Sequence, residues 1–107
     1  MSDSDKTMGI KYDSGKPDWS LMPFRELTEV VKVLTAGAVK YSPDNWKFVK
    51  PSQERYAAAA LRHISARMQG EVKDPETGCP HTAHAICCLL FWMWHDTEAG
   101  DDAPRMS

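Results

Sequence analysis

Proline and glycine gather at a few places in this chain and leave three long stretches free of proline. Gly9, Gly15 and Pro17 crowd the first segment, Pro43 and Pro51 bracket a short link, and Gly70, Pro75, Gly78 and Pro80 fill another. A proline inside a helix removes a backbone hydrogen bond and clashes with the preceding turn, so the chain is free to be helical only between these groups. Three helices are predicted on that ground. The first runs from about Pro23 to Tyr41, with Pro23 suited to a first turn. The second starts with Ser52 as N-cap and stops at Gly70 as the residue past its end. The third runs from His81 to about Glu98. The expected fold is all-α: a small bundle of three to four helices with an ordered N-terminal loop, completed by oligomerisation.

The 107 residues suffice for one domain. Residues 1–8 are polar and aperiodic and are expected to be disordered, residues 9–98 to form the domain, and residues 99–107 to be a disordered tail. At about 100° per residue, Leu27, Val30, Val31, Leu34 and Ala38 share one arc of the first helix and form its expected core face. On the second helix Leu61, Ile64 and Met68 point to the core, and Ala57–Ala60 permit close approach of a neighbour. On the third, Ile86, Leu89, Leu90 and Met93 define the buried face, widened by Trp92 and Trp94. That apolar surface is large for one helix and favours a dimer or tetramer.

Net charge is −2, which leaves no footprint of a dedicated nucleic-acid binder. The N-terminus shows no secretory signal, and the apolar run from Ala83 to Trp94 is too short to span a bilayer, so a cytoplasmic protein without a membrane partner is expected. Three cysteines, two of them adjacent, do not make a disulfide framework. Cys87 and Cys88 read as small buried hydrophobes. Cys79 with His81 and His84 matches no standard zinc spacing.

The chemistry lies in the charged residues. Glu26 and Glu29 are three apart on a helix, face the same way and can share a divalent cation. Glu71 and Asp74 repeat the spacing in the connector before His81 and His84, and His63 sits on the second helix. Carboxylates with imidazoles suit Mg²⁺ or Mn²⁺, of which Mn²⁺ better accepts nitrogen. Lys40, Arg55 and Arg62 would neutralise phosphate. Lys11 and Lys16 flank a loop that is not a Walker A motif, since Ile10 stands where the first glycine belongs and Pro17 replaces the hydroxyl residue; they either meet a phosphate or are solvated. Asn45-Trp46 lies in a turn enforced by Pro43 and Asp44, where Trp46 either stacks on a base or covers the core. No serine or cysteine has a nucleophile's context, which leaves water as the attacking group.

The ordered pieces Lys11-x-Asp13-x-Gly15-Lys16-Pro17, Glu29-Val-Val-x-Val-Leu, Gly37-Ala38-x-Lys40-Tyr41 with Asn45-Trp46, Arg55-Tyr56, Ala59-Ala60-Leu61-Arg62-His63, Gly70-Glu71-x-x-Asp74-Pro75-Glu76-Thr77-Gly78 and His81-x-x-His84-Ala85 span roughly residues 9 to 96. This pattern resembles the phage-type dATP/dGTP diphosphohydrolases (MazZ-like), a branch of the all-α NTP pyrophosphohydrolases related to MazG and the dimeric dUTPases. The resemblance implies a helical bundle that cleaves a purine deoxynucleoside triphosphate between its α and β phosphates, releasing a monophosphate and pyrophosphate in the host-cell cytoplasm. It implies metal ions held by helix-borne acids. Glu26 and Glu29 fit the first acidic motif of the MazG branch, whereas Glu71 and Asp74 match the second in letters only, because they follow Gly70 and precede Pro75. His63, His81 and His84 would then replace part of the acidic set. The implied roles are catalysis by Glu29, His63 and Asp74; metal binding by Glu26, Glu29, His63, Glu71, Asp74, His81 and His84; and substrate binding by Lys11, Lys16, Lys40, Asn45, Trp46, Arg55 and Arg62.

Two other readings use different residues. An HD-type deoxynucleotide phosphohydrolase would use His95-Asp96, and a non-enzymatic helical adaptor would dock through the Trp-rich third helix.

Overall fold

The computed structural model describes residues 9–12 and 14–99. The expected disorder of residues 1–8 and of the tail past Ala99 lies outside the described residues. Three α-helices carry the fold: α1 (Phe24–Lys40), α2 (Ser52–Met68) and α3 (His81–Trp94). A 3-10 turn at Trp19–Leu21 precedes α1, with Asp18 accepting from the Ser20 backbone N–H, and a second occupies Asn45–Phe48. Past Trp94 the helix widens into a π-turn over His95–Ala99, where the regular helix had been expected to continue.

The boundaries follow local chemistry. Pro23 caps α1 and accepts the Leu27 N–H through its carbonyl, while Lys40 in the last turn complements the helix dipole. Pro51 occupies the N-cap of α2 and Ser52 is its first residue, so the helix starts one position earlier than expected. The far end meets the expectation: Gly70 has φ +103°, its N–H bonds the Arg67 carbonyl, and Glu71 N–H bonds the Ala66 carbonyl. This double bond past a left-handed glycine reverses the chain toward α3. The connector then forms a tight loop. Lys73 and Pro80 bridge antiparallel, Asp74 N–H bonds the Cys79 carbonyl, and Gly78 N–H bonds the Asp74 carbonyl at 2.7 Å.

Both α1 and α2 pack on α3, and the contact surfaces are made of small side chains. Val30, Ala83 and Cys87 form one buried group, backed by Leu27, Val33 and Leu34. Tyr56, Ala60 and Cys88 form the other, backed by Trp46, Val49 and Trp92. Phe91 packs against both and joins them. The Cys87 thiol donates to the Val30 carbonyl, and burial pushes its pKa up to about 12, so it stays neutral as a small hydrophobe, as expected.

The apolar faces differ from the predicted ones. Leu61 is 65% exposed and Met68 81%, and Ile64, Val31, Ile86, Leu89, Leu90 and Met93 are also exposed. The buried positions are Tyr56 and Ala60 on α2, and Ala83, Ala85, Cys87 and Cys88 on α3. Periodicity locates an apolar stripe but not which stripe a neighbour covers. Small residues win here because they bring the helix axes close, while the larger hydrophobes remain on the outer faces. Among the described residues no helix is long and apolar enough to cross a membrane.

The close α2–α3 contact makes a prediction. Ala60→Leu forces bulk between Tyr56 and Cys88 and should destabilise by about 1–3 kcal/mol. Ala58→Leu, on the exposed face, should stay within about 0.5 kcal/mol of the parent. Urea midpoints of the two variants check this.

Candidate active site

The reversal at Gly70 and the loop it feeds bring α2, the connector and the start of α3 to one point. His63 projects from α2, His81 and His84 from the first turn of α3, and Glu71, Asp74 and Thr77 from the loop between. His63 Nδ1 and His81 Nδ1 are 2.9 Å apart, and His81 Nε2 is 2.7 Å from Glu71 Oε1. The His63 and His84 rings stack at 4.5 Å with an interplanar angle of 10°. His81 is 4% exposed, whereas the Glu71 carboxylate reaches solvent.

A carboxylate can only accept, which assigns the protons. His81 donates Nε2–H to Glu71, and in the neutral form of that ring Nδ1 accepts the Nδ1–H of His63. Asp74 Oδ2 accepts the backbone N–H groups of Glu76 and Thr77 and the Thr77 hydroxyl. With the Thr77 hydroxyl donating to Asp74, His84 donates Nε2–H to Thr77 Oγ1 at 2.7 Å. Burial pushes the Asp74 pKa up, but these hydrogen bonds and the neighbouring His84 outweigh it and hold the carboxyl below its ordinary value. Burial, with the neighbouring imidazoles, lowers the pKa of His63; burial is also the largest effect on His84 and lowers it despite Asp74. Both rings are therefore neutral at pH 7, the state in which imidazole binds a metal or accepts a proton.

One ligand atom from each of His63, Asp74 and His81 lies within 4.8 Å of the others. The two Nδ1 atoms converge, and with the His63 proton on Nε2 both would offer a lone pair to the space between them. A cation there would meet both lone pairs, with the Glu71 carboxylate behind His81 as the outer partner that metal-bound histidines ordinarily have. The donor set fits a divalent cation on those grounds.

Part of this cluster lines a cleft of about 900 Å³ whose walls come from α1, α2, α3 and the links between them. His63, Asp74 and His84 line it, as do the predicted Lys40, Asn45, Trp46, Arg55 and Arg62. Lys40 pairs with Glu76 at 2.7 Å, joining the end of α1 to the loop. Four predicted residues are not brought together with these. Lys11 and Lys16 precede α1 and do not line the cleft. Glu26 pairs with Arg25 at 3.5 Å and Glu29 with Lys32 at 2.9 Å, outside the cluster. Glu29 lies one turn before Val33, a residue that does line the cleft.

Thr77 and Glu76 were missed as site residues. The signal was the Asp-Pro-Glu-Thr-Gly string, whose leading aspartate bonds its own backbone two and three residues on. The His95-Asp96 pair has a structural place. His95 is 1% exposed and donates Nε2–H to the Trp46 carbonyl at 3.0 Å, while Asp96 is exposed. Trp92 and Trp94 are half-buried and Trp94 meets the Trp46 edge, so neither supplies a free docking face.

The fold and the site thus define an all-α domain with a cleft of about 900 Å³ lined by imidazoles, carboxylates and cationic side chains. The chain matches the dATP/dGTP diphosphohydrolase N-terminal family over residues 6–103 and belongs to that family. It is 38% identical over 96 residues to a dATP/dGTP diphosphohydrolase of Salmonella phage PMBT28, an alignment covering 88% of this chain and 32% of that protein. The chain spans about a third of that relative's length. No solved structure matches it significantly.

The lowered pKa values set an acid dependence of stability. An unfolded histidine, with pKa 6.5, binds more protons than His63 or His84 in the fold, so stability is full above that value and falls as pH drops toward the folded pKa. Asp74 adds a second loss below its ordinary 3.8. Urea midpoints of chelator-treated protein should fall from pH 7 to pH 5, and His63→Gln should flatten that slope; a flat parent profile would contradict the assignment.

Proposed function

We propose that this domain hydrolyses a purine deoxynucleoside triphosphate, dGTP or dATP, to the monophosphate and pyrophosphate with the help of Mg²⁺ or Mn²⁺. Membership of the diphosphohydrolase family supports the reaction. The structural observation that carries it is one cleft uniting His63, Asp74 and His84 with Lys40, Arg55 and Arg62. Three cations suit a triphosphate, and an arginine's fork matches phosphate oxygens in pairs.

His63, Asp74 and His81 would hold the cation, oriented by Glu71. Nitrogen donors favour Mn²⁺. When bound, the cation supplies positive charge against the phosphates and a lower pKa for water. The remaining steps belong to the chain. Lys40, Arg55 and Arg62 hold the phosphates and offset charge at the leaving group. Water attacks the α-phosphorus, the bond to the bridging oxygen breaks, and pyrophosphate leaves. His84, the neutral ring left on the cleft wall, accepts the water's proton. The exposed apolar stripes of α2 and α3 support a homo-oligomer.

The testing experiment is a panel of NTPs and dNTPs with Mn²⁺ or Mg²⁺, with products separated by chromatography. Monophosphate and pyrophosphate from a purine dNTP are expected; nucleoside with triphosphate, or no turnover, overturns the proposal. Asp74→Asn should lower kcat/KM by about 100-fold or more, and by more than Glu29→Gln, because Glu29 stands outside the cluster. Glu71→Gln should weaken Mn²⁺ binding by about 10–100-fold, read by calorimetry.

A further inference from the structure

Four aromatic side chains line the cleft: Tyr41, Trp46, Tyr56 and Phe91. Three of them are engaged with one another. Trp46 stacks on Phe91 at 4.7 Å and 13°, meets Trp94 edge-on at 5.2 Å, and carries the Lys47 ammonium 5.4 Å from its ring centroid. Its carbonyl accepts both the Tyr56 hydroxyl at 2.9 Å and His95 Nε2–H at 3.0 Å. Tyr56 is buried against Phe91 at 5.4 Å. Trp46 is thus a wall element clamped from two helical segments, with the Phe91 ring stacked on it.

Tyr41 is different. It stands at the C-terminal cap of α1, lines the cleft and is 63% exposed as a residue. Lys40 Nζ lies 5.3 Å from its centroid and also reaches Glu76. Among the described residues no ring stacks on Tyr41, and an aromatic ring left unstacked on the cleft wall beside a cation is a platform for a base.

On the reading of the site given above, we propose that Tyr41 is the residue that stacks on the substrate's base, and that Trp46 supports the wall rather than meeting the base. Stacking scales with the area of the base, so Tyr41 favours purines over pyrimidines. Asn45, on the same link and lining the same cleft, can donate and accept through one amide and is placed to read the base edge.

Steady-state kinetics of the full chain with dGTP, dATP and dTTP test this. Tyr41→Ala should raise KM for the purine substrates by about 5- to 100-fold, with kcat changed less than about twofold and a smaller effect on dTTP. Tyr41→Phe should restore the parent KM, because the ring and not the hydroxyl makes the contact. Tyr41 is exposed, so neither variant should alter the urea midpoint, which is measured alongside. An unchanged purine KM in Tyr41→Ala, or an equal rise for dTTP, overturns the inference and leaves the proposed reaction standing. A parent protein that turns over none of the three overturns both.

Discussion

The close contact of α2 with α3 is the interaction on which the rest depends. Ala60 and Cys88 meet where larger side chains would hold the helices apart, with Tyr56 and Phe91 packed around them. Bringing the axes together places His63 of α2 at 2.9 Å from His81 of α3. Lengthening the contact by one or two ångströms would remove that hydrogen bond, because its strength falls steeply past the usual donor–acceptor range. The small-residue contact therefore fixes the site as well as the fold.

The connector does work that regular helix could not. An uninterrupted helix through residues 70–80 would carry Glu71 and Asp74 on one face, pointing the same way. Instead, the left-handed Gly70 and the Asp74–Thr77 turn aim them differently: Glu71 orients His81 from behind, and Asp74 faces the cleft beside His84. Asp74 keeps its charge because backbone N–H groups and the Thr77 hydroxyl solvate it in place of water. The departure from a helical acidic pair thus produces an orienting carboxylate and a cleft-facing one.

Much of the cleft was legible along the chain. Lys40, Asn45, Arg55, Arg62, His63, Asp74 and His84 were chosen from residue type and order, and all line it. Trp46 lines it too, with its ring stacked on Phe91 against the core. Glu26 and Glu29 show the limit. Spacing says that two acids share a helix face, but not whether that face meets the histidines, and here they pair with Arg25 and Lys32. Thr77 was passed over although its partners lie within seven residues, because only the turn of the loop sets its hydroxyl between Asp74 and His84.

What the sequence alone determined was local: where proline and glycine stop each helix, that Gly70 reverses the chain, and which residues carry charge or an imidazole. These follow from backbone sterics and side-chain chemistry within a few residues. The tertiary structure decided which helical faces are covered and which charged groups meet. Leu61, Ile64 and Met68 have the period of a core stripe and lie outside, while Ala60, Ala83, Cys87 and Cys88 lie within. Periodicity describes one helix, but burial belongs to a pair of surfaces, and only packing says which small-residue faces close on each other and leave Tyr41 open to the cleft.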